Sequence, residues 1–158
     1  MIFPEVHINQ PSSFEDFRGE LYTLFKQEDS DLIFNHDKVS VSRKNVLRGL
    51  HGDSKSWKLI TCLAGEVMLV VVDNRNNSPN YLKWDSIILT EKNKKSVLVP
   101  PMFANGHLVL SNEATFFYKW SYPGQYPDVE DQFTLKWNSP ELNIHWPITN
   151  PILSKRDL

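Results

Sequence analysis

The stretch VLRGLHGDSKSWKLI, residues 46–60, places two cations and an imidazole in its strand-like apolar parts, on either side of the polar segment GDSKS. Arg48 and Lys58 are the cations in those parts, and His51 carries the imidazole. A histidine can remove a proton near neutral pH, a lysine can stabilise a developing oxyanion, and an arginine can grip a phosphate. Taken singly, each residue is better explained as a strand-end side chain with a solvated tip. Together they predict a site.

The strand period decides whether these side chains can meet. Arg48 and His51 are an odd number of residues apart, so a regular strand would place them on opposite faces. Gly49 lies between them and would permit a bulge that re-aims one side chain. Lys58 shares parity with Ile60, so we expect its ammonium where apolar side chains point. That position is costly for a charge without a partner.

Two further segments place polar groups beside apolar runs. In PPMFANGHLVL, residues 100–110, Asn105 and His107 lie two positions apart. In TFFYKWS, residues 115–121, Tyr118 alternates with Phe116, which predicts that its hydroxyl enters the interior. Each has a structural explanation too, because asparagines suit loops and buried tyrosines usually find a hydrogen-bond partner.

Composition and absent motifs exclude several function classes. A formal net charge of -2 gives no electrostatic case for nucleic-acid binding. The five histidines lack H-x-H or H-E-x-x-H spacing, so no metal is predicted. P-loop and Rossmann glycine motifs are absent. Cys62, the single cysteine, lies in an apolar run and is predicted to be a buried, inert thiol.

The chain as a whole is predicted to be one cytoplasmic domain over residues 1–158. This length suits a single domain with a sizeable core, and no linker divides it. The first residues show no secretory pattern, and no apolar run reaches membrane-spanning length, so no membrane association is predicted.

The elements that must position these side chains are short strands separated by turn residues, which predicts an all-β sandwich or barrel of the jelly-roll kind. A weak pattern predicts a short helix over Glu28–Phe34. The irregular tail after Trp137 is apolar enough to pack over the barrel. The predicted strands are Leu21–Phe25, Lys38–Ser42, Leu59–Leu63, Glu66–Asp73, Tyr81–Leu89, Ser96–Val99, His107–Leu110 and Thr115–Lys119.

Six motifs, in the same order along the chain, resemble the dTDP-4-dehydrorhamnose 3,5-epimerase family. They are FEDFRGELYTLF, SVSRKNVLRGLH, GEVMLVVVDNRNNSPNYLKW, VPPMFANGHLVLSNEATFFYK, KWNSPELNIHWP and PILSKRD. The resemblance runs from Phe14 to Asp157. It implies a cupin-type barrel that epimerises a nucleotide-linked 4-keto-6-deoxy sugar, without a cofactor, for surface polysaccharides.

The resemblance also implies roles for the reacting residues. His51 falls at the general base, and Asp157 at the carboxylate that orients it and stabilises the imidazolium. Lys58 matches the lysine that stabilises the enolate. Tyr118 matches the donor that returns a proton to the opposite face of the sugar.

Substrate binding is implied at several other positions. Arg18 and Arg48 match residues that hold the diphosphate, and either Tyr122 or Tyr126 contacts the ligand. The family is homodimeric, with an exchanged N-terminal strand, so Arg18 is expected to serve the neighbouring site. Asn105 is expected to contact the sugar or enolate oxygen, with His107 as its rival for that place.

Three residues depart from the family pattern. Asn105 replaces a histidine, Thr23 replaces a glutamate that helps to read the base, and Asp53 replaces a glutamine after R-G-L-H. The interval between His51 and Asn105 is also shorter than in the family, and the shortening lies before Lys58. These departures leave open a dTDP, GDP or UDP substrate, and epimerisation at C3 alone or at C3 and C5.

Two other functions compete with epimerisation. A sugar 3,4-ketoisomerase would use the same barrel, but its relatives carry R-G-x-H-A-H where this chain has RGLHGD, residues 48–53. A non-catalytic barrel that binds nucleotide sugars is favoured by Asn105 and opposed by the retained His51, Lys58, Tyr118 and Asp157.

Overall fold

Two five-stranded antiparallel sheets and a separate hairpin make up the computed structural model, which describes all 158 residues. The first sheet has the order β1-β9-β6-β11-β4 and the second β12-β5-β10-β7-β8, with β2 and β3 forming the hairpin. The strands are β1 His7–Asn9, β2 Ser13–Asp16, β3 Gly19–Tyr22, β4 His36–Arg43, β5 Leu47–Gly52, β6 Trp57–Ala64, β7 Glu66–Asp73, β8 Trp84–Thr90, β9 Ser96–Val99, β10 Phe103–Val109, β11 Glu113–Ser121 and β12 Phe133–Thr134. The all-β, cupin-type prediction is confirmed.

Burial on both faces explains the unbroken apolar run of β7. Val67, Leu69 and Val71 face the core between the two sheets. Met68 and Val70 point the other way and pack in a second core against the chain after β12. Both faces of this strand are therefore apolar, as in strands that are covered on each side. The predicted packing of the apolar tail over the barrel is confirmed.

A bulge at Gly49 brings Arg48 and His51 to the same cavity. Opposite β10, His51 pairs with Asn105 and Arg48 with His107, so two residues of β5 lie opposite the single residue Gly106 of β10. Gly49 has a φ of +125°, and a Cβ there would lie 2.5 Å from a backbone carbon of the facing strand. Only glycine fits this crossing, and the bulge expected from the sequence is present.

The predicted helix over Glu28–Phe34 is wrong. The chain forms a single 3₁₀ turn at Gln27–Asp29, and a second 3₁₀ turn lies at Val129–Asp131. The Gln27 side chain donates hydrogen bonds to the carbonyls of Ser30 and Leu32, at 3.2 and 2.7 Å. Such local bonds compete with helical ones. No helix of this structure has the length and apolar character needed to cross a membrane.

Candidate active site

A cavity of about 300 Å³ opens between the sheets and is lined from both of them. Strands β4, β5, β6, β10 and β11 contribute side chains, and the segment after β11 and the C-terminal tail close it. Four of the lining residues are cations and two are carboxylates. The polar residues that frame the cavity are Lys38, Ser40, Arg48, His51, Lys58, Asn105, Tyr118, Tyr126, Asp128, Gln132, Ser154, Arg156 and Asp157.

Both ring nitrogens of His51 have partners. Nε2 lies 2.7 Å from Asp157 Oδ1, and Nδ1 lies 2.9 Å from the hydroxyl of Thr134. Because a carboxylate only accepts, Nε2 carries the proton of the neutral ring, and Nδ1 accepts from Thr134. Asp157 is itself fixed by Ser154, whose hydroxyl donates to Oδ2 at 2.6 Å. The imidazole therefore has a defined tautomer and orientation.

The surroundings of His51 favour its neutral form. Burial lowers its pKa below the usual value, and the positive charge of Arg156 lowers it further. Asp157 opposes both effects, by charge and by its hydrogen bond. The imidazole is therefore neutral before the reaction, and the Asp157 carboxylate stabilises the imidazolium that forms when the ring takes a proton. Both properties suit a general base.

Lys58 lies almost entirely out of solvent. Its side chain is 4% exposed, and its ammonium faces Asp53 Oδ2 at 3.4 Å and the ring centroid of Trp120 at 4.4 Å. Burial lowers its pKa to about 8, and the nearby Asp53 carboxylate opposes that shift. The expected inward direction of this lysine is confirmed. A cation that is shielded from solvent at the cavity wall can stabilise an oxyanion strongly.

Tyr118 presents a free phenol to the same cavity from the opposite sheet. Its hydroxyl has no hydrogen-bond partner within the chain. Burial raises its pKa far above the usual value, so it remains a proton donor. His51 lies on β5 of the second sheet and Tyr118 on β11 of the first. A group bound between them is flanked by a base and by an acid.

Asn105, and not His107, lines the cavity. The carboxamide oxygen of Asn105 is buried and has no partner within the chain. His107 lies fully buried and stacks on Phe116, with ring centroids 3.8 Å apart. Neither of its ring nitrogens has a partner, and burial lowers its pKa to about 3. The structure therefore places His107 in the core and not against a ligand.

The structure separates the other predicted binding residues. Arg48 lines the cavity and donates to the hydroxyl of Ser42 at 3.0 Å. Tyr126 also lines it, with its hydroxyl accepting from Lys38. Tyr122 does not; its hydroxyl is bonded to the imidazole of His36 at 3.1 Å. Arg18 lies outside the cavity, at the turn between β2 and β3, where it pairs with Asp16 at 2.6 Å.

Three functional candidates escaped sequence reasoning. Arg156 precedes Asp157 in LSKRD, and the structure places both side chains at the cavity. For Lys38, the sequence carries no sign of a role at the site other than the positive charge of the side chain. Thr134 reaches His51 because β12 pairs with β5 opposite that histidine. This contact joins residues far apart in the sequence, and no local pattern reveals it. No group of three or more His, Cys, Asp or Glu side chains is arranged to hold a metal.

Comparisons with known proteins agree with this geometry. The sequence pattern of the dTDP-4-dehydrorhamnose 3,5-epimerase family matches residues 1–158. The enzyme of that name from Shigella flexneri is 38% identical over 164 residues, covering 98% of this chain and 89% of the relative.

Solved structures show the same barrel. A dTDP-6-deoxy-D-glucose-3,5-epimerase from Legionella pneumophila, in complex with dTDP-4-keto-L-rhamnose, superposes with a TM-score of 0.91. It is 37% identical, over 99% of this chain and 87% of that one. A 3′-monoepimerase from Streptomyces bikiniensis, in complex with dTDP-quinovose, gives a TM-score of 0.89 at 27% identity, over 96% of this chain and 80% of that one.

Fold, cavity and relatives together define an isomerase of the cupin-type class that epimerises nucleotide-linked sugars. The chain belongs to the dTDP-4-dehydrorhamnose 3,5-epimerase family.

Proposed function

We propose that this enzyme inverts C3, or C3 and then C5, of a dTDP-linked 4-keto-6-deoxy sugar through an enolate. The observation that carries the proposal is the pair of proton-transfer groups on opposite walls of one cavity. His51, backed by Asp157, lies on one sheet, and the free phenol of Tyr118 lies on the other. Epimerisation requires that a proton leaves one face of the carbon and returns to the other.

Each step has a group suited to it. The ketone acidifies the neighbouring C–H bond, and His51 takes the proton at Nδ1, the ring nitrogen that does not donate to Asp157. The electron pair moves onto the ketone oxygen, and the ammonium of Lys58 stabilises the resulting enolate. Tyr118 then donates its proton to the opposite face, His51 releases the proton it took to solvent, and the phenolate of Tyr118 takes a proton from solvent. The ketone itself accepts the electrons, so no cofactor is needed.

The cations at the cavity support a diphosphate-linked substrate. Lys38, Arg48 and Arg156 all line it, and a planar guanidinium binds phosphate oxygens in pairs. We infer dTDP as the nucleotide because solved relatives carry dTDP-linked sugars. Because Thr23 replaces the glutamate that helps to read the base in the family, GDP- and UDP-linked sugars are also tested as substrates.

The N-terminal hairpin supports a homodimer. Phe14 and Phe17 on it are 78% and 98% exposed, and Val39 and Val41 are exposed on β4, the edge strand of the first sheet. Apolar side chains at a free edge favour pairing with another chain. We propose that the hairpin packs on a second copy and carries Arg18 to that copy's cavity. Light scattering after size-exclusion chromatography should give twice the mass of one chain. The Phe17→Asp variant should give the mass of a single chain.

The test of the reaction is proton NMR in heavy water with dTDP-, GDP- and UDP-linked 4-keto-6-deoxy sugars. We expect deuterium at C3, with inversion, and fastest turnover of the dTDP substrate. His51→Asn should abolish exchange while dTDP binding, measured by calorimetry, stays nearly unchanged. Binding without exchange in the unmodified enzyme would identify a non-catalytic barrel, and a product with its ketone at C3 would identify a ketoisomerase. The single-domain organisation, the cytoplasmic location and the surface-polysaccharide role stay predictions from the sequence.

A further inference from the structure

Asp53 is a buried carboxylate beside the site that neither the family resemblance nor the mechanism above uses. It is 2% exposed and follows β5, immediately after the strand that carries His51. Its Oδ1 accepts hydrogen bonds from the backbone nitrogens of Lys55 and Ser56, at 3.0 and 2.7 Å. Its Oδ2 has no hydrogen-bond partner and faces the ammonium of Lys58 at 3.4 Å.

We propose that Asp53 is a positioning residue for the epimerisation, holding Lys58 in its charged form at the wall of the cavity. The proposal rests on the proposed function, in which the ammonium of Lys58 stabilises the enolate. The two halves of the carboxylate have separate tasks. Oδ1 closes the short turn that leads into β6, and Oδ2 is left for the lysine.

The charges around Lys58 explain why it needs this partner. Arg156 and Lys38 both act to remove its proton, and burial acts in the same direction and more strongly. His51 also lies within electrostatic reach of Lys58, and it gains positive charge when it takes the substrate proton. Trp120 offers only the face of its ring. Asp53 is the carboxylate that opposes these effects, so without it we expect the amine to be neutral at working pH.

The sign of the pH dependence follows. Lys58 is useful when protonated, so the rate falls as the pH rises through its pKa, which is about 8. Removing the Asp53 charge lowers that pKa, so the alkaline limb of the profile moves to lower pH.

The Asp53→Asn variant removes the negative charge of the side chain and keeps its size and shape. The amide oxygen can still accept from Lys55 and Ser56, which preserves the turn. The amide NH₂ then faces Lys58, and a donor at that place favours the neutral amine. We expect the alkaline limb of kcat/KM to move down by at least about one pH unit, with at least about tenfold less activity above the new limb. Activity at lower pH should largely recover.

The matched control is Asp73→Asn. Asp73 is also a fully buried carboxylate paired with a cation, Arg75 at 2.7 Å, but it does not line the cavity. Its variant should keep the wild-type pH profile. Thermal melts of both variants separate a loss of folding from a change of mechanism.

A second measurement needs no turnover. Chemical shifts of ¹³Cε-labelled lysine report the Lys58 titration directly, with Lys58→Met assigning the signal. A lower Lys58 pKa in Asp53→Asn supports the proposal even if the variant, or the proposed reaction, is inactive. An unchanged lysine titration overturns it, as does an activity loss of equal size at every pH. Failure of the proposed function alone would leave the titration shift in place and show no exchange in the unmodified enzyme.

Discussion

Asp157→Asn tests the role that we propose for the carboxylate beside His51. Asp157 Oδ1 accepts from His51 at 2.7 Å, and Oδ2 accepts from the hydroxyl of Ser154 at 2.6 Å. A hydroxyl can accept as well as donate. Ser154 can therefore turn to accept from the new NH₂, which leaves the amide oxygen for His51 Nε2–H. The variant keeps the geometry of the neutral site and removes only the charge.

The size of the effect follows from that charge. A hydrogen bond to a charged partner contributes about 1.5–3 kcal/mol, against about 1 kcal/mol for a neutral pair. The bond to the carboxylate strengthens further when His51 becomes an imidazolium during proton removal, and we expect this gain to be about as large as that difference. A loss of about 1.4 kcal/mol from the barrier stabilisation is tenfold in rate. We therefore expect kcat to fall about tenfold, whereas His51→Ala should cost about a hundred- to ten-thousand-fold.

The pH profile gives an independent check. His51 acts when neutral, so the rate falls as the pH drops through its pKa. Asp157 raises that pKa against burial and Arg156. Asp157→Asn should therefore move the acid limb to lower pH.

The assay is deuterium incorporation from heavy water, measured from low to high pH beside His51→Ala and the unmodified enzyme. An acid limb that moves upward, or a loss below about threefold, would refute the charge argument. A loss as large as that of His51→Ala would show that the amide has turned its NH₂ toward the histidine and reversed its tautomer.

Three further predictions concern the remaining polar groups. Tyr118→Phe should still exchange deuterium through His51 but should not invert the centre, and inversion at the wild-type rate would remove this phenol from the mechanism. Asn105→Ala should slow turnover about a hundredfold without moving the pH profile, because it removes a polar contact in a water-poor site and no titrating group; a shifted limb would contradict this. Thr134→Val should move the acid limb to higher pH with kcat within about threefold, since the lost donor favours neutral His51. A profile that moves downward would mean that Nδ1 carries the proton.

Local sequence patterns predicted most of the barrel. A strand with one buried face shows alternating apolar and polar residues, and a strand buried on both faces shows a continuous apolar run, so either can be recognised within a few residues. The run of β7 was predicted with its observed bounds, Glu66–Asp73. The strand predicted from Tyr81 begins at Trp84, and the one predicted over Leu21–Phe25 lies at Gly19–Tyr22. The strands β1, β2 and β12, of two to four residues, were missed, and β5 was treated as strand-like without predicted bounds. The four-residue strand β9 was predicted with its observed bounds, Ser96–Val99.

The candidate site divides in the same way. His51, Lys58, Tyr118 and Asp157 could be selected from residue type and motif, and the structure brings all four to one cavity. Their partners could not be selected. The contact of Asp157 with His51 spans 106 residues, and its geometry depends on how the C-terminal tail closes over the barrel. Likewise, only tertiary packing separates Asn105, at the cavity, from a histidine two residues away in the core.

The double burial of the second sheet has a consequence for how this enzyme can acquire new substrates. A displacement of β7 would disturb the packing of two cores at once, so its backbone is held in place from both faces. The neighbouring strand β10 pairs with β7 along its whole length, so the hydrogen bonds between the two strands also fix the position of β10. The inward residue Asn105 can therefore be exchanged without moving the strand. Selection can change the chemistry of the cavity wall one side chain at a time while the scaffold stays constant.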